Sequence, residues 1–242
     1  MFYLKRKQAG FTLVEIAIVL VIIGLLLGGI LKGQELINSA RVRNLADTTS
    51  GVQAAYFGFI DRYRRVPGDW QAAAAGNAIG GTINTGGNDN GRIDSTNYDE
   101  PNAVWEHLSK AGFVSGSYDG AGGNEPTTAN NASPFNPFNA AIVLARTGNY
   151  LDPTAAPPQR LHLVVGRGTP VDIARELDTK LDDANPQTGN LRSALVGGGG
   201  PDILGGTSNW GAGDPACYDD TVTPPIWDVN ADSQDCNPIF LF

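Results

Sequence analysis

The strongest constraint on this chain is a run of twenty-one residues, Phe11 to Leu31, in which Glu15 is the only formal charge. At 1.5 Å per residue, a helix of about 20 residues covers the ~30 Å hydrocarbon core of a bilayer. A helix that is apolar on every side needs lipid or other helices around it. Three cations, Lys5, Arg6 and Lys7, precede the run. Positive residues stay on the cytoplasmic side, which places the N-terminus inside and everything after Leu31 outside. Glu15 is the anomaly, because an ionisable group within a span is costly and marks a functional position. A secretory signal peptide would carry a shorter apolar region, ~7–15 residues, with small residues at its cut. A signal anchor whose Glu15 faces a bundle and a buried core helix are weaker alternatives; the second would need a polar face that the run lacks.

The residues Ala9-Gly10-Phe11-Thr12-Leu13-Val14-Glu15-Ile16, after a basic leader and before an apolar run, resemble the N-terminus of type IV pilins and of the pseudopilins of type II secretion systems. The resemblance covers Lys5 to Leu31. It implies that prepilin peptidase cuts after Gly10 and that the new amine, on Phe11, is methylated. It further implies that the Glu15 carboxylate meets the Phe11 ammonium of a neighbouring subunit during assembly. Elementary electrostatics agrees, since an ammonium and a carboxylate both held in lipid neutralise each other best as a pair.

The formal charge is −8, from 17 Lys and Arg against 25 Asp and Glu. Removal of the leader would take away three of those cations. Such an acidic surface argues against a nucleic-acid partner. It suits an exported surface, and acidic loops can hold divalent cations. With 31 Gly and 15 Pro, the part beyond the membrane segment should be rich in loops. The two cysteines, Cys217 and Cys236, most simply form one disulfide in an exported protein. They lack the spacing of a zinc site.

From Gln34 the pattern changes to helical periodicity, with Leu36, Ile37, Ala40, Leu45, Val52, Ala55, Tyr56, Phe59, Ile60 and Tyr63 recurring mostly at three-, four- and seven-residue steps. No proline interrupts Phe11 to Val66, which reads as one helix ended by Pro67-Gly68-Asp69. The segment Tyr63 to Asp69 resembles the one that follows the long helix in many pilin-like proteins. Residues 71–100 and 115–139 read as irregular. Val104–Phe113 reads as a short helix, and Pro170–Leu181 as another with Pro170 in its first turn. Ala140–Ala145, Leu161–Val165, Leu191–Val196 and Ile239–Phe242 read as strands. The expected fold is α+β and pilin-like: a long N-terminal helix packed on a small antiparallel sheet in a loop-rich head. The expected divisions are a leader (1–10), a membrane or filament-core helix (11–31), an amphipathic half-helix (32–66) and an extracytoplasmic head (67–242).

His107 and His162 belong to no catalytic or metal spacing, and each reads as structural. There is no Walker loop and no nucleophile elbow, so the chain does not read as an enzyme. The adjacent acids Asp182-Asp183 are expected to point apart. Gly86 to Asp94 resembles the middle of an EF-hand loop, with Asn88, Asn90 and Asp94 as oxygen donors. It lacks the first carboxylate and the closing Glu, so a weak calcium site stands against a plain Asn-Gly turn; calcium also binds loops in some pseudopilins. The resemblance implies a structural subunit of a pilus-like filament or a type II secretion pseudopilus. Its partners would be prepilin peptidase and other pilin or pseudopilin subunits. It would sit in the bacterial inner membrane by a single span, head in the periplasm, until assembled. The alternative is a membrane-anchored periplasmic binding module that does not polymerise.

Overall fold

The computed structural model describes residues 12–94, 97–120, 122–154, 157–195 and 214–242. The chain divides into two compact units, Met1–Ala40 and Arg41–Phe242. Helix α1, Leu13–Tyr63, begins in the first and ends in the second. In the first unit its apolar side chains are exposed throughout, and Leu36 and Ile37 join them. Burial begins at Val42 and continues through Leu45, Thr49, Val52, Ala55, Tyr56 and Phe59. The buried stripe is therefore shorter than the periodicity suggests.

Helix α1 stops three residues before Val66. Arg64 takes a left-handed conformation (φ 56°), and its N–H donates to Ile60 O at 2.8 Å. That is the geometry of a C-terminal cap, usually made by glycine. Helix α2, Ala72–Ile79, lies in a stretch expected to be irregular. Its four consecutive alanines are the best helix formers, and Gly80 ends it with a left-handed cap. Helix α3, Asp99–Lys110, starts five residues before Val104. Asp99, Glu100 and Pro101 fill its first turn, where acids complement the helix dipole and proline loses no hydrogen bond. Helix α4, Val171–Leu181, follows Pro170, which is its N-cap residue.

Strands β1 (Val143–Thr147), β2 (Arg160–Val164), β3 (Leu191–Ser193) and β6 (Pro238–Leu241) form one antiparallel sheet in the order β1-β2-β6-β3. The register aligns Leu144, Leu163, Phe240 and Leu191 in a row across all four strands. This row faces the core that also holds Val42 to Phe59 of α1, Trp105 and Leu108 of α3, and Ile173 and Leu177 of α4. The alternate residues Val143, Val164 and Ile239 face a second cluster with Tyr98 and Tyr150. Both faces are covered, which is why these strands are apolar runs as well as alternating ones.

Beyond the sheet, Cys217 and Cys236 are bonded, with Cα atoms 5.7 Å apart. The loop they close contains a two-stranded ribbon, β4 (Tyr218–Asp219) and β5 (Ile226–Trp227). Val171 and Ala174 of α4 pack on it with Trp227 and the disulfide. The architecture is a long N-terminal helix followed by a small antiparallel sheet in an α+β head.

Candidate functional site

Gly10 and Phe11 lie outside the described residues, so the N-terminal site starts at Thr12. Thr12 precedes α1, and Glu15 is its third residue. The Thr12 N–H donates to Glu15 Oε2 at 2.8 Å, the Thr12 hydroxyl to the same oxygen at 2.9 Å, and the Glu15 N–H to Thr12 Oγ1 at 3.2 Å. This is a reciprocal capping box, in which a threonine and a glutamate three residues apart satisfy each other's orphan amides. The sequence reading gives Glu15 a partner only in the Phe11 ammonium of a neighbouring subunit. The structure gives it Thr12, and the signal was the Thr-x-x-Glu spacing itself. The cap holds the carboxylate at the helix entrance, on the N–H and hydroxyl of Thr12.

The rest of the first unit presents an apolar surface. Leu13 is 91% exposed and Leu25 73%, and the first charges after Glu15 are Lys32 and Glu35, paired at 2.7 Å. A Cβ placed on Gly24 or Gly28 meets no atom within 4 Å. Their small size therefore serves no packing among the described residues. Small residues four apart let a second helix approach closely in lipid. This is the one helix among the described residues long and apolar enough to cross a membrane.

In the second unit, the Pro67-Gly68-Asp69 turn is a junction. Asp69 is buried, and its carboxylate accepts the Asn90 N–H at 3.0 Å and the Gly91 N–H at 2.7 Å. The Gly68 N–H donates to His107 Nδ1 at 2.9 Å. Burial pushes His107 down to about 4, despite the opposing pull of Glu106 beside it. Its neutral ring can thus accept from Gly68 while it stacks on Phe59. His162 is sealed against Tyr150, and burial pushes it down to about 3. Both histidines serve packing.

The loop with Asn88, Asn90 and Asp94 turns its oxygens on itself. Asn88 Oδ1 accepts the Asn90 N–H, and Asn90 Oδ1 accepts the Arg92 N–H, each two residues on in an Asx turn. Asp94 receives the Asn90 side-chain amide at 2.8 Å and pairs with Arg92 at 3.0 Å. Glu100 accepts the Asp94 N–H at 2.6 Å, and burial raises its carboxyl to about 7. The structure brings the three proposed donors together but commits their oxygens to amides and a guanidinium.

The model of the prokaryotic N-terminal methylation motif matches residues 5–31. No curated protein and no solved structure matches the chain. The match ends where the exposed apolar surface gives way to Lys32, and it includes the Thr12–Glu15 cap. This chain carries the prokaryotic N-terminal methylation motif, the prepilin motif of pilins and pseudopilins, ahead of an α+β head closed by the Cys217–Cys236 disulfide.

Proposed function

We propose that the chain is a structural subunit of a type IV pilus-like filament or type II secretion pseudopilus. Prepilin peptidase cuts it after Gly10, and the exposed amine of Phe11 is methylated. The subunit waits in the inner membrane by a single span, residues 11–31, with the head in the periplasm. It is then drawn into a filament whose interior is built from those spans. The Glu15 carboxylate carries this reading. It lies within the motif as the only formal charge of the Phe11–Leu31 run, and its cap is made with Thr12, the residue that follows Phe11 in sequence. One carboxylate oxygen, Oε2, takes both Thr12 donors. The other is left for an ammonium on a neighbouring subunit, and the pair removes two charges from an apolar interior at once.

The cap also supplies the test that separates two roles for Glu15. A glutamine serves a capping box as well as a glutamate, but it carries no charge for an ammonium. In a filament or secretion assay, Glu15→Gln should fail as completely as Glu15→Ala, with processing largely intact in both. Gly10→Val should block processing. If Glu15→Gln assembles like the parent, the carboxylate acts as a helix cap and not as a charge partner. If Gly10→Val, Glu15→Gln and Glu15→Ala all behave as the parent, the chain is a membrane-anchored periplasmic module that does not polymerise.

A further inference from the structure

The stretch 115–139 forms no helix and no strand of either sheet among the described residues, yet it lines three adjoining hollows in the head. The first, about 320 Å³, is bounded by Gly51 and Val52 of α1, Trp105 of α3, and Phe113, Tyr118 and Pro134. The second, about 420 Å³, shares Tyr118 and Pro134 with the first and adds Asn131 and Ser133. The third, about 300 Å³, shares Thr128, Phe135 and Asn139 with the second and ends at Glu125 and Arg167. The shared walls make one stepped groove, and each step has the volume of a small ligand site.

Three features of this groove serve nothing in the fold. Gly51 is exposed in the interior of α1, where only proline is a poorer helix former. A Cβ there meets no atom within 4 Å, so packing does not require its absence. What it does is leave the first hollow open. Trp105 is 1% exposed, and its indole N–H is buried without an acceptor, which costs the desolvation of that donor. Its ring stands 6.3 Å from that of Tyr118. The third feature is a set of uncommitted polar groups. Asn130 and Asn136 spend their amides on the backbone of this stretch and of the 165–167 segment. Asn131 and Asn139, both left-handed (φ 44° and 61°), line the groove instead. Their side chains, and those of Ser115, Ser117 and Thr128, make no hydrogen bond among the described residues.

We propose that this groove binds a neutral oligosaccharide. No residue lining the first two hollows carries a charge, in a chain with 17 Lys and Arg and 25 Asp and Glu. At the far end Arg167 is already paired with Asp235. Serine and threonine hydroxyls and asparagine amides both donate and accept, which matches sugar hydroxyls that do the same. Aromatic rings present a negative face, on which the C–H groups of a sugar ring can lie. Trp105, Phe113, Tyr118 and Phe135 supply such rings along the groove. Hollows in series suit a chain of repeating units better than one compact molecule. A polypeptide, the other linear chain, gains its affinity by pairing with an open strand edge. None of the strands of the two sheets lines this groove. The site belongs to the head and is independent of how the N-terminus is processed or assembled.

The test titrates cellohexaose, chitohexaose and maltohexaose into the full chain, held in a polyoxyethylene detergent so that no headgroup carries sugar. Heat of binding and tryptophan emission are the readouts. At least one hexasaccharide should bind with a Kd on the order of 1 mM or tighter. It should bind about tenfold tighter than its disaccharide, because it fills more than one hollow. Salt at about 0.5 M should leave Kd unchanged, since no charge pair is involved. Gly51→Leu fills the first hollow from a helix that tolerates the side chain. Its Tm should equal or exceed that of the parent, while Kd weakens by about tenfold or more. Asn131→Gly and Asn139→Gly keep the left-handed backbone and should each weaken binding by about three- to tenfold. No signal with any of the three sugars at about 10 mM, ten times the weakest Kd expected, overturns the assignment. So does undiminished binding in Gly51→Leu together with both asparagine variants. Tighter binding of hexagalacturonate, or of an uncharged hexapeptide of glycine, serine and tyrosine, overturns it as well.

Discussion

Replacing Glu106 with alanine should be among the most damaging single changes in the head. Glu106 is fully buried on α3, yet it stays satisfied. Its oxygens accept the Asn84 N–H at 2.9 and 3.0 Å and the Thr85 N–H at 3.1 Å, and Lys110 lies 2.5 Å away. Alanine orphans two backbone amides beneath the 82–85 segment, at about 1–3 kcal/mol each. Asn84 is partly reachable by water, so about 3 kcal/mol in total is expected. Lys110 adds little, because it also donates to Thr82 O and is partly exposed. For a unit of this size, each kcal/mol moves Tm by about 2–4 °C, so a fall of roughly 6–12 °C follows. Glutamine keeps one acceptor and should lose about half as much. The assay is thermal and urea unfolding of the full chain in detergent, followed by tryptophan fluorescence. A loss under ~1 kcal/mol for alanine would refute the view that this buried carboxylate pins the loop to α3.

Other consequences can be measured on the same preparation. Cys217→Ser with Cys236→Ser opens a loop of sequence separation 19 and should cost ~3 kcal/mol on the chain-entropy account, read as a lower urea midpoint. Gly87→Ala would put a Cβ 2.6 Å from Asp69 Cα and 2.5 Å from Glu100 Oε1, and should cost ~1–3 kcal/mol; an unchanged Tm would show that the loop is not seated on Asp69. Stability should also depend on pH through groups of opposite sign. The folded histidines His107 and His162, at about 4 and about 3, refuse protons that the unfolded chain binds below 6.5, so they withdraw stability as pH falls from 6.5 towards 4. Glu100, at about 7 when folded, holds a proton that the unfolded chain releases above 4.5, so it adds stability over that descent. Glu100→Gln should therefore steepen the acid loss, and a shallower profile would contradict the assignment.

What was legible in the sequence depended on how strongly one physical signal dominated each segment. Helix α1 was readable because an apolar run with a single charge and then an apolar stripe both call for a helix, although its packed part starts at Val42 and not at Leu36. The four strands of the sheet were readable because burial on both faces made them apolar runs bounded by turns. Helix α2 was missed because Ala72–Ala75 sits among glycines and asparagines whose composition outweighed a local propensity. Strands β4 and β5 have two residues each, too few for any periodicity, and lie inside the loop that the disulfide closes. At the N-terminus the charge of Glu15 was read at once, whereas its reciprocity with Thr12 was not. The same spacing logic was available for Asp178 and Asp182. What sequence could not supply was the turn at the end of α4 that, against the expectation that Asp182 and Asp183 point apart, brings one oxygen each of Asp178, Asp182 and Asp183 within 4.8 Å of one another.

The account rests on the bond between Gly10 and Phe11. The most direct test is the intact mass and N-terminal fragment spectrum of the protein purified from membranes of a cell that contains the processing peptidase. A chain beginning at Phe11 with one methyl group on its amine is the predicted result. A chain that keeps Met1, or one cut beyond Leu31, would contradict it.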